Sequence, residues 1–408
     1  RGASPPGLGQ HAQDERRSWL KVGKGHASSG LGSAGSAGSG GSGQHAGVDV
    51  SIDSFEMIKP ISGGAYGKVF LAAKKRTGDL YAVKVLSKAD TLRKNQRANV
   101  LAEQSILASA NNPFVVKLYY SFASRDHLYL VMEFVNGGDL YSLLRNVGRL
   151  EEPTARAYAA ELCLALEYLH GELGVVHRDI KPDNVLIDAQ GHLVLTDFGL
   201  SHMGVSESLA GDEADVGAPA GDGAAAARVG TPDYMAPEIL LGTGHGRSVD
   251  WWSLGVLIYE LVTGLTPFNA GTPQEVFARA LAGEFSWPDV GPGETGPSPE
   301  VRDLVGRLLV PDPRRRLGAG GAREVMAHPW FRGTDWASLR DRRRCEAPFV
   351  PQLEDLYDTS YFVERLGRQG PAAFSPRAGD APGKGAAGTA PPAEAPAVRV
   401  VLSAEVAL

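Results

Sequence analysis

Apolar and polar positions divide the middle of the chain into short strands followed by long helices. Val69-Phe70-Leu71 and Tyr81-Ala82-Val83 are brief β-branched and aromatic runs of the kind that form strands. A helical stretch from Asn95 to Ser109 follows, then two more strand-like runs, Val115 to Phe122 and His127 to Met132. Glu133-Phe134-Val135-Asn136-Gly137-Gly138-Asp139 breaks the pattern and reads as a hinge between a small strand-rich lobe and a larger helical one. Beyond it, Pro153 to His170 predicts an amphipathic helix with Tyr158, Leu162, Leu166 and Leu169 on one stripe. Val185-Leu186-Ile187 and Leu193-Val194-Leu195 flank an Asp188-Ala189-Gln190-Gly191 turn and predict a hairpin. Asp250-Trp251-Trp252 opens a largely apolar helix to Val262, ending before Gly264; a helix apolar all round belongs in a core.

Three segments carry no such pattern. Residues 1–47 are rich in Gly, Ser and Ala and read as linker or disorder, with Arg16-Arg17-Ser18-Trp19-Leu20 as a candidate docking peptide. Residues 203–227 are Ala, Gly and acidic residues and read as a flexible insertion. Residues 367–408 turn to Ala and Pro and are expected to be disordered.

Composition narrows the classes. The chain has 408 residues, 43% of them hydrophobic, enough for one large domain or two lobes. A net charge of -6 offers no global basic field for nucleic acid. Two cysteines, Cys163 and Cys345, make no disulfide framework or metal-ligand spacing, which fits a reducing compartment, cytoplasmic or nuclear. No apolar run reaches the roughly 18 residues that a membrane span needs. The first residue is Arg rather than Met, so the chain reads as a piece of a longer product, with an upstream targeting segment left open.

The candidate chemistry sits in His177-Arg178-Asp179-Ile180-Lys181-Pro182-Asp183-Asn184, a short loop with a carboxylate, an ammonium and an amide within six residues. Asp197-Phe198-Gly199 follows thirteen residues after Asn184. Asn184 and Asp197 can share Mg²⁺, a hard cation that takes one or two side-chain oxygens plus substrate phosphates. Asp179 can then accept a hydroxyl proton and Lys181 neutralise a migrating phosphoryl group. Upstream, Ser62-Gly63-Gly64-Ala65-Tyr66-Gly67 is a glycine-rich turn between strands, able to bring backbone N–H groups to phosphates. Lys84 closes the next strand and Glu103 lies on the next helix. Each feature alone reads as a turn or a solvated side chain; their order and spacing together do not.

On these motifs the chain resembles the protein kinases, and within them the AGC group of Ser/Thr kinases, over roughly residues 50 to 366. Lys59-Pro60-Ile61-Ser62, Asn136 to Arg145 and Leu240 to Gly246 look most like the plant and algal IRE (incomplete root hair elongation) type, relatives of the microtubule-associated Ser/Thr kinases and Greatwall. The resemblance implies an α+β bilobal fold: an N-lobe of about 55–135, a C-lobe of about 136–331, and an AGC tail over 332–366. It implies a Lys84–Glu103 pair gripping nucleotide phosphates, Asp179 as catalytic base, and Thr231 of Gly230-Thr231-Pro232 in the catalytic set. ATP would lie against Ile61, Ser62, Gly63, Gly64, Ala65, Tyr66, Gly67, Lys68 and Val69. Ala82, Met132, Glu133, Phe134, Val135, Leu186 and the tail residue Phe362 would complete its pocket. Leu107, Leu118, His177 and Phe198 would stack as an apolar column joining the lobes, and Glu238 would pair with Arg316.

The resemblance also implies protein substrates with Ser or Thr acceptors. Asp139, Asp183 and Glu260 match positions that receive substrate arginines; the alternatives are a helix cap at Asp139 and an internal pair at Glu260. Three departures stand out. Ser62 replaces the first loop glycine, Ala227 falls where an activating phospho-threonine is common, and only Phe374-Ser375 remains of the terminal hydrophobic motif. Ser206 or Ser208, phosphorylated by an upstream regulator with Arg178 as receiver, or a docked partner would then supply any switch. The expected unit is a monomeric catalytic domain with neither nucleic acid nor membrane as partner. The alternatives are a pseudokinase scaffold and a small-molecule phosphotransferase.

Overall fold

The computed structural model describes residues 50–64, 67–94, 96–203, 232–289, 291, 295–342, 345–362 and 401–402. Outside these lie the 1–47 segment, Ala65, Tyr66, Ala227, Thr231 and the Phe374-Ser375 remnant. The 203–227 insertion beyond Met203 and the C-terminal segment apart from 401–402 lie outside them too.

The bilobal α+β fold implied by the resemblance is the one the chain adopts. In the N-lobe, β1 (Phe55–Gly64), β2 (Gly67–Lys74), β3 (Leu80–Ser87), β4 (Leu118–Ala123) and β5 (His127–Glu133) pair antiparallel in the order β1-β2-β3-β5-β4. Alternation sorts their side chains, because successive residues of a strand face opposite ways. On β5, Tyr129 and Val131 join Phe55, Tyr81 and Phe122 in an aromatic outer cluster. Leu130 and Met132 turn inward to the main core. Val401 and Leu402 pair parallel to Tyr120 and Ser121 on the outer edge of β4, so the terminal segment, expected to be disordered, is in the sheet at this point.

Two short helical pieces follow β3. Ser87 caps α1 (Lys88–Arg93) by accepting from the Asp90 N–H, and α2 (Arg97–Ser109) carries Glu103. The strand expected from Val115 begins only at Leu118. The backbone before it is used elsewhere: Val116 N–H donates to the Leu195 carbonyl at 3.0 Å, and Leu195 N–H to the Phe114 carbonyl at 2.8 Å.

The C-lobe packs around two helices. α3 (Leu140–Val147) leads into α4 (Glu152–Gly171). α4 is not the one-sided amphipathic helix of the periodicity: thirteen of its twenty residues are buried, Cys163 among them, because other elements cover its further faces. β6 (Val175–Val176), the hairpin β7 (Val185–Ile187) and β8 (Leu193–Leu195), and β9 (His202–Met203) carry the loops of the site. α5 (Pro237–Leu241) precedes α6 (Ser248–Thr263), which starts two residues before the expected Asp250 and ends at Gly264 in a left-handed turn. Trp251 and Trp252 of α6 are fully buried. Arg316 forks onto Glu238 with bonds of 2.7 and 2.8 Å, as expected. α7 (Pro273–Ala282), α8 (Pro299–Leu308), α9 (Ala322–Met326) and α10 (Trp336–Arg340) complete the lobe. Among the described residues no helix is long and apolar enough to cross a membrane.

From Asp341 the chain leaves the lobe and runs along the hinge. Phe349 lies against Gly191, Pro351 against Gly137 and Tyr361 against Gly138. Gly138 has φ 84°, and a Cβ there would collide with Tyr361, so the tail's path requires glycine at this position.

Candidate active site

The floor of the cleft is the loop between β6 and β7, and its shape is set from below. Asp250, fully buried at the start of α6, accepts from the backbone N–H of His177 at 2.9 Å and of Arg178 at 2.7 Å. His170 Nε2 lies 2.7 Å from the same carboxylate. Burial alone would raise the Asp250 carboxyl, but the hydrogen bond and charge of His170 hold it below the usual carboxylate range. Arg178 is left-handed, φ 67°, a conformation unfavourable for a side-chain-bearing residue. Its Nε donates to the Leu200 carbonyl, and Nη1 lies 3.4 Å from His245 Nε2.

These anchors present Asp179. Its carboxylate accepts from Lys181 Nζ at 2.9 and 2.8 Å and from Asn184 Nδ2 at 2.8 Å. Pro182 opens the single turn Pro182–Asn184 that brings the amide back to the acid. Asn184 Nδ2 also donates to the Asp179 carbonyl at 2.8 Å, which leaves the oxygen end of the amide to meet a cation. Thr196 N–H donates to the Asn184 carbonyl at 2.9 Å, so the two open ends of the hairpin are tied together. Asp197, also left-handed with φ 63°, lines the same cleft as Asn184. The donor pair fits Mg²⁺, which takes few protein oxygens beside phosphate oxygens.

Above the floor, Lys84 on β3 bonds Glu103 on α2 at 2.6 Å and Asp197 at 2.9 Å. Both Lys84 and Glu103 are buried. Burial works against the Lys84 charge, yet Asp197 and Glu103 outweigh it and push the ammonium above its ordinary range. Leu107, Leu118, His177 and Phe198 all lie in buried interior, and the rings of His177 and Phe198 meet edge-on at 4.8 Å.

Ile61, Val69, Ala82, Met132, Phe134, Val135, Leu186 and Phe362 line the cleft. Phe362 stacks on Phe134 with ring centroids 6.5 Å apart, so the tail contributes a wall. Ser62 and Glu133 also line the cleft. Gly63 pairs with Lys68 and Gly64 with Gly67 in the β1–β2 hairpin above it. Gly67 has φ 144°, and a Cβ there would meet the Val85 carbonyl at 2.6 Å.

The three acidic candidates separate. Asp139 is buried, caps α3 by accepting from the Ser142 N–H at 2.7 Å, and still lines the cleft beside Asp183. Glu260 accepts from the Tyr234 hydroxyl. Burial first, then Asp183 and Asp233, raise the Glu260 carboxyl to about 7. The helix cap and the internal pair that compete with a substrate role are therefore both present.

Asp250 is the structural partner that the motifs do not reveal. Its one sequence signal is an acidic residue at the start of an otherwise apolar buried helix, and its partners lie more than seventy positions away. Glu161 is similar: it holds the Leu193 N–H at 2.7 Å and His192 Nδ1 at 2.6 Å from within α4.

A family profile described as "Protein kinase domain" matches residues 55–331. Among curated relatives, the probable serine/threonine protein kinase IRE4 of Arabidopsis thaliana is 54% identical over 330 residues, covering 78% of this chain and 31% of its own length. The probable serine/threonine protein kinase IREH1 of the same plant is 54% identical over 332 residues, covering 77% and 25%. The serine/threonine protein kinase ypkA of Aspergillus fumigatus is 38% identical over 369 residues, covering 88% and 53%. The chain thus spans about a quarter to a third of the length of the Arabidopsis relatives.

Proposed function

The chain belongs to the protein kinase family, and from that premise we propose that it transfers the γ-phosphoryl group of MgATP to serine and threonine hydroxyls of protein substrates. The observation that carries the reading is the pair of polar clusters in one cleft: Glu103 to Lys84 to Asp197 above, and Lys181 and Asn184 converging on Asp179 below. Asp179 takes the proton of the acceptor hydroxyl as its oxygen bonds to phosphorus, and the bond between that phosphorus and the bridging oxygen breaks to release ADP. Lys84 orients the phosphates, and Lys181 offsets charge on the group in transit. Asn184 and Asp197 would hold Mg²⁺, which neutralises phosphate charge when bound.

The identity to IRE4 and IREH1 supports an AGC-group kinase of the IRE type. Asp183 and Glu260 support a preference for arginine two or three residues before the acceptor, since a guanidinium forks onto carboxylates and an ammonium does not. Action in the cytosol or nucleus follows from the same reading.

The test is transfer from γ-labelled ATP to a serine peptide with upstream arginines. Label on the peptide is the expected result. Nucleotide binding without transfer would make the chain a partner-binding scaffold instead, and an array favouring proline or acidic residues would overturn the arginine preference alone.

A further inference from the structure

Leu193, the first residue of β8, has both backbone groups held from outside the hairpin. Its N–H donates to Glu161 Oε2 at 2.7 Å, and its carbonyl accepts from Arg342 Nη2. Two residues on, the Leu195 N–H and carbonyl bond Phe114 and Val116. The outer edge of β8 is thus saturated by α4, by the tail and by the segment before β4, as a buried edge must be.

Arg342 does more than close that edge. Its Nη1 donates to Asp188 Oδ2 at 2.9 Å, and its guanidinium carbon lies 4.4 Å from the centroid of the Phe114 ring. Asp188 in turn sets the β7–β8 turn, its Oδ1 accepting from the Gln190 and His192 N–H groups at 2.9 Å each. One planar cation therefore fixes the turn, the start of β8 and the segment alongside it. Asn184 immediately precedes β7 and Asp197 follows β8 by two residues, so any slip of the hairpin moves both.

We propose that Arg342, a tail residue outside the matched 55–331 domain, is a positioning residue for the metal-holding pair Asn184 and Asp197. The inference rests on the kinase reading of the site. Partners that orient metal ligands typically matter about 10–100-fold in metal affinity. Lysine cannot substitute, because a point ammonium cannot reach Asp188 and the Leu193 carbonyl in one plane.

The experiment binds a fluorescent ATP analogue to the 408-residue chain, first in EDTA and then across a MgCl₂ titration. R342A is expected to need about tenfold more Mg²⁺ for half-maximal binding, with unchanged affinity in EDTA. R342K and D188N, each keeping one of the two contacts, are expected to fall between R342A and the unsubstituted chain. They carry the same test if R342A does not fold. Folded variants with an unshifted Mg²⁺ requirement, or with affinity lost equally in EDTA, overturn the proposal and leave the kinase reading intact. An unsubstituted chain that binds no analogue at any Mg²⁺ concentration overturns both.

Discussion

Asp250 Oδ1 accepts the backbone N–H of Arg178 at 2.7 Å across 72 positions of sequence, joining the central helix of the C-lobe to the residue before Asp179, the proposed base. Asp250→Ala would leave the His177 and Arg178 N–H groups without that acceptor, at about 1–3 kcal/mol for each unsatisfied group. Urea unfolding should show a loss of about 3 kcal/mol or more, with a smaller loss for Asp250→Asn, which keeps an acceptor oxygen. Because the folded state holds this carboxyl below its ordinary range, its contribution is present above the unfolded carboxylate pKa and is lost as pH falls through the lower folded value. An unfolding midpoint unchanged by Asp250→Ala would count against the anchor.

Asp179→Asn should keep nucleotide affinity and lose turnover by about 10²–10⁴-fold. The amide can still accept from Lys181, so the loop keeps its shape while the base is gone. Single-turnover transfer near the unsubstituted rate would remove Asp179 from the role of base.

Lys84→Met should both weaken phosphate positioning and destabilise the fold. It strands the buried Glu103 carboxylate, and breaking a buried pair from one side costs about 3–5 kcal/mol. Lys84→Met, Glu103→Leu removes both charges and should recover part of that stability but none of the activity. Differential scanning calorimetry beside the transfer assay separates the two effects.

With its carboxyl raised to about 7, Glu260 would offer the proposed arginine site a charge only as pH rises through neutrality. KM for an arginine-containing peptide should therefore fall between pH 6 and 8, while that for a peptide lacking arginine stays level. Glu260→Gln should abolish the difference. The sign for stability is opposite: the folded state binds this proton more tightly than the unfolded one, so its contribution declines from pH 4.5 towards 7. A flat KM profile for the arginine peptide would remove Glu260 from substrate recognition.

The parts legible in the sequence were those whose partners are close along the chain. The β7–β8 hairpin, the Asp179–Lys181–Asn184 cluster and the end of α6 at Gly264 all arise within a few residues. The periodicity of α4 gives its helix and one apolar stripe but says nothing of how many neighbours will cover the other faces. Val115 to Lys117 looked like strand, and the backbone is extended enough to bond Leu195, but its partner belongs to the other lobe. The anchoring roles of Asp250 and Glu161 are not legible for the same reason: each is one acidic residue in a helix until the fold brings backbone N–H groups against it.

Phe362 on Phe134, Tyr361 on Gly138, Phe349 on Gly191 and Arg342 on Asp188 form one line of contacts laid down after residue 331. An excision made at that boundary, where the match to the kinase-domain profile stops, would yield a piece with every catalytic motif intact. It would nonetheless lack a wall of its nucleotide cleft and the clamp on its central hairpin. The span of the kinase-domain profile is thus shorter than the packed unit, and recombinant boundaries should be drawn no earlier than Phe362.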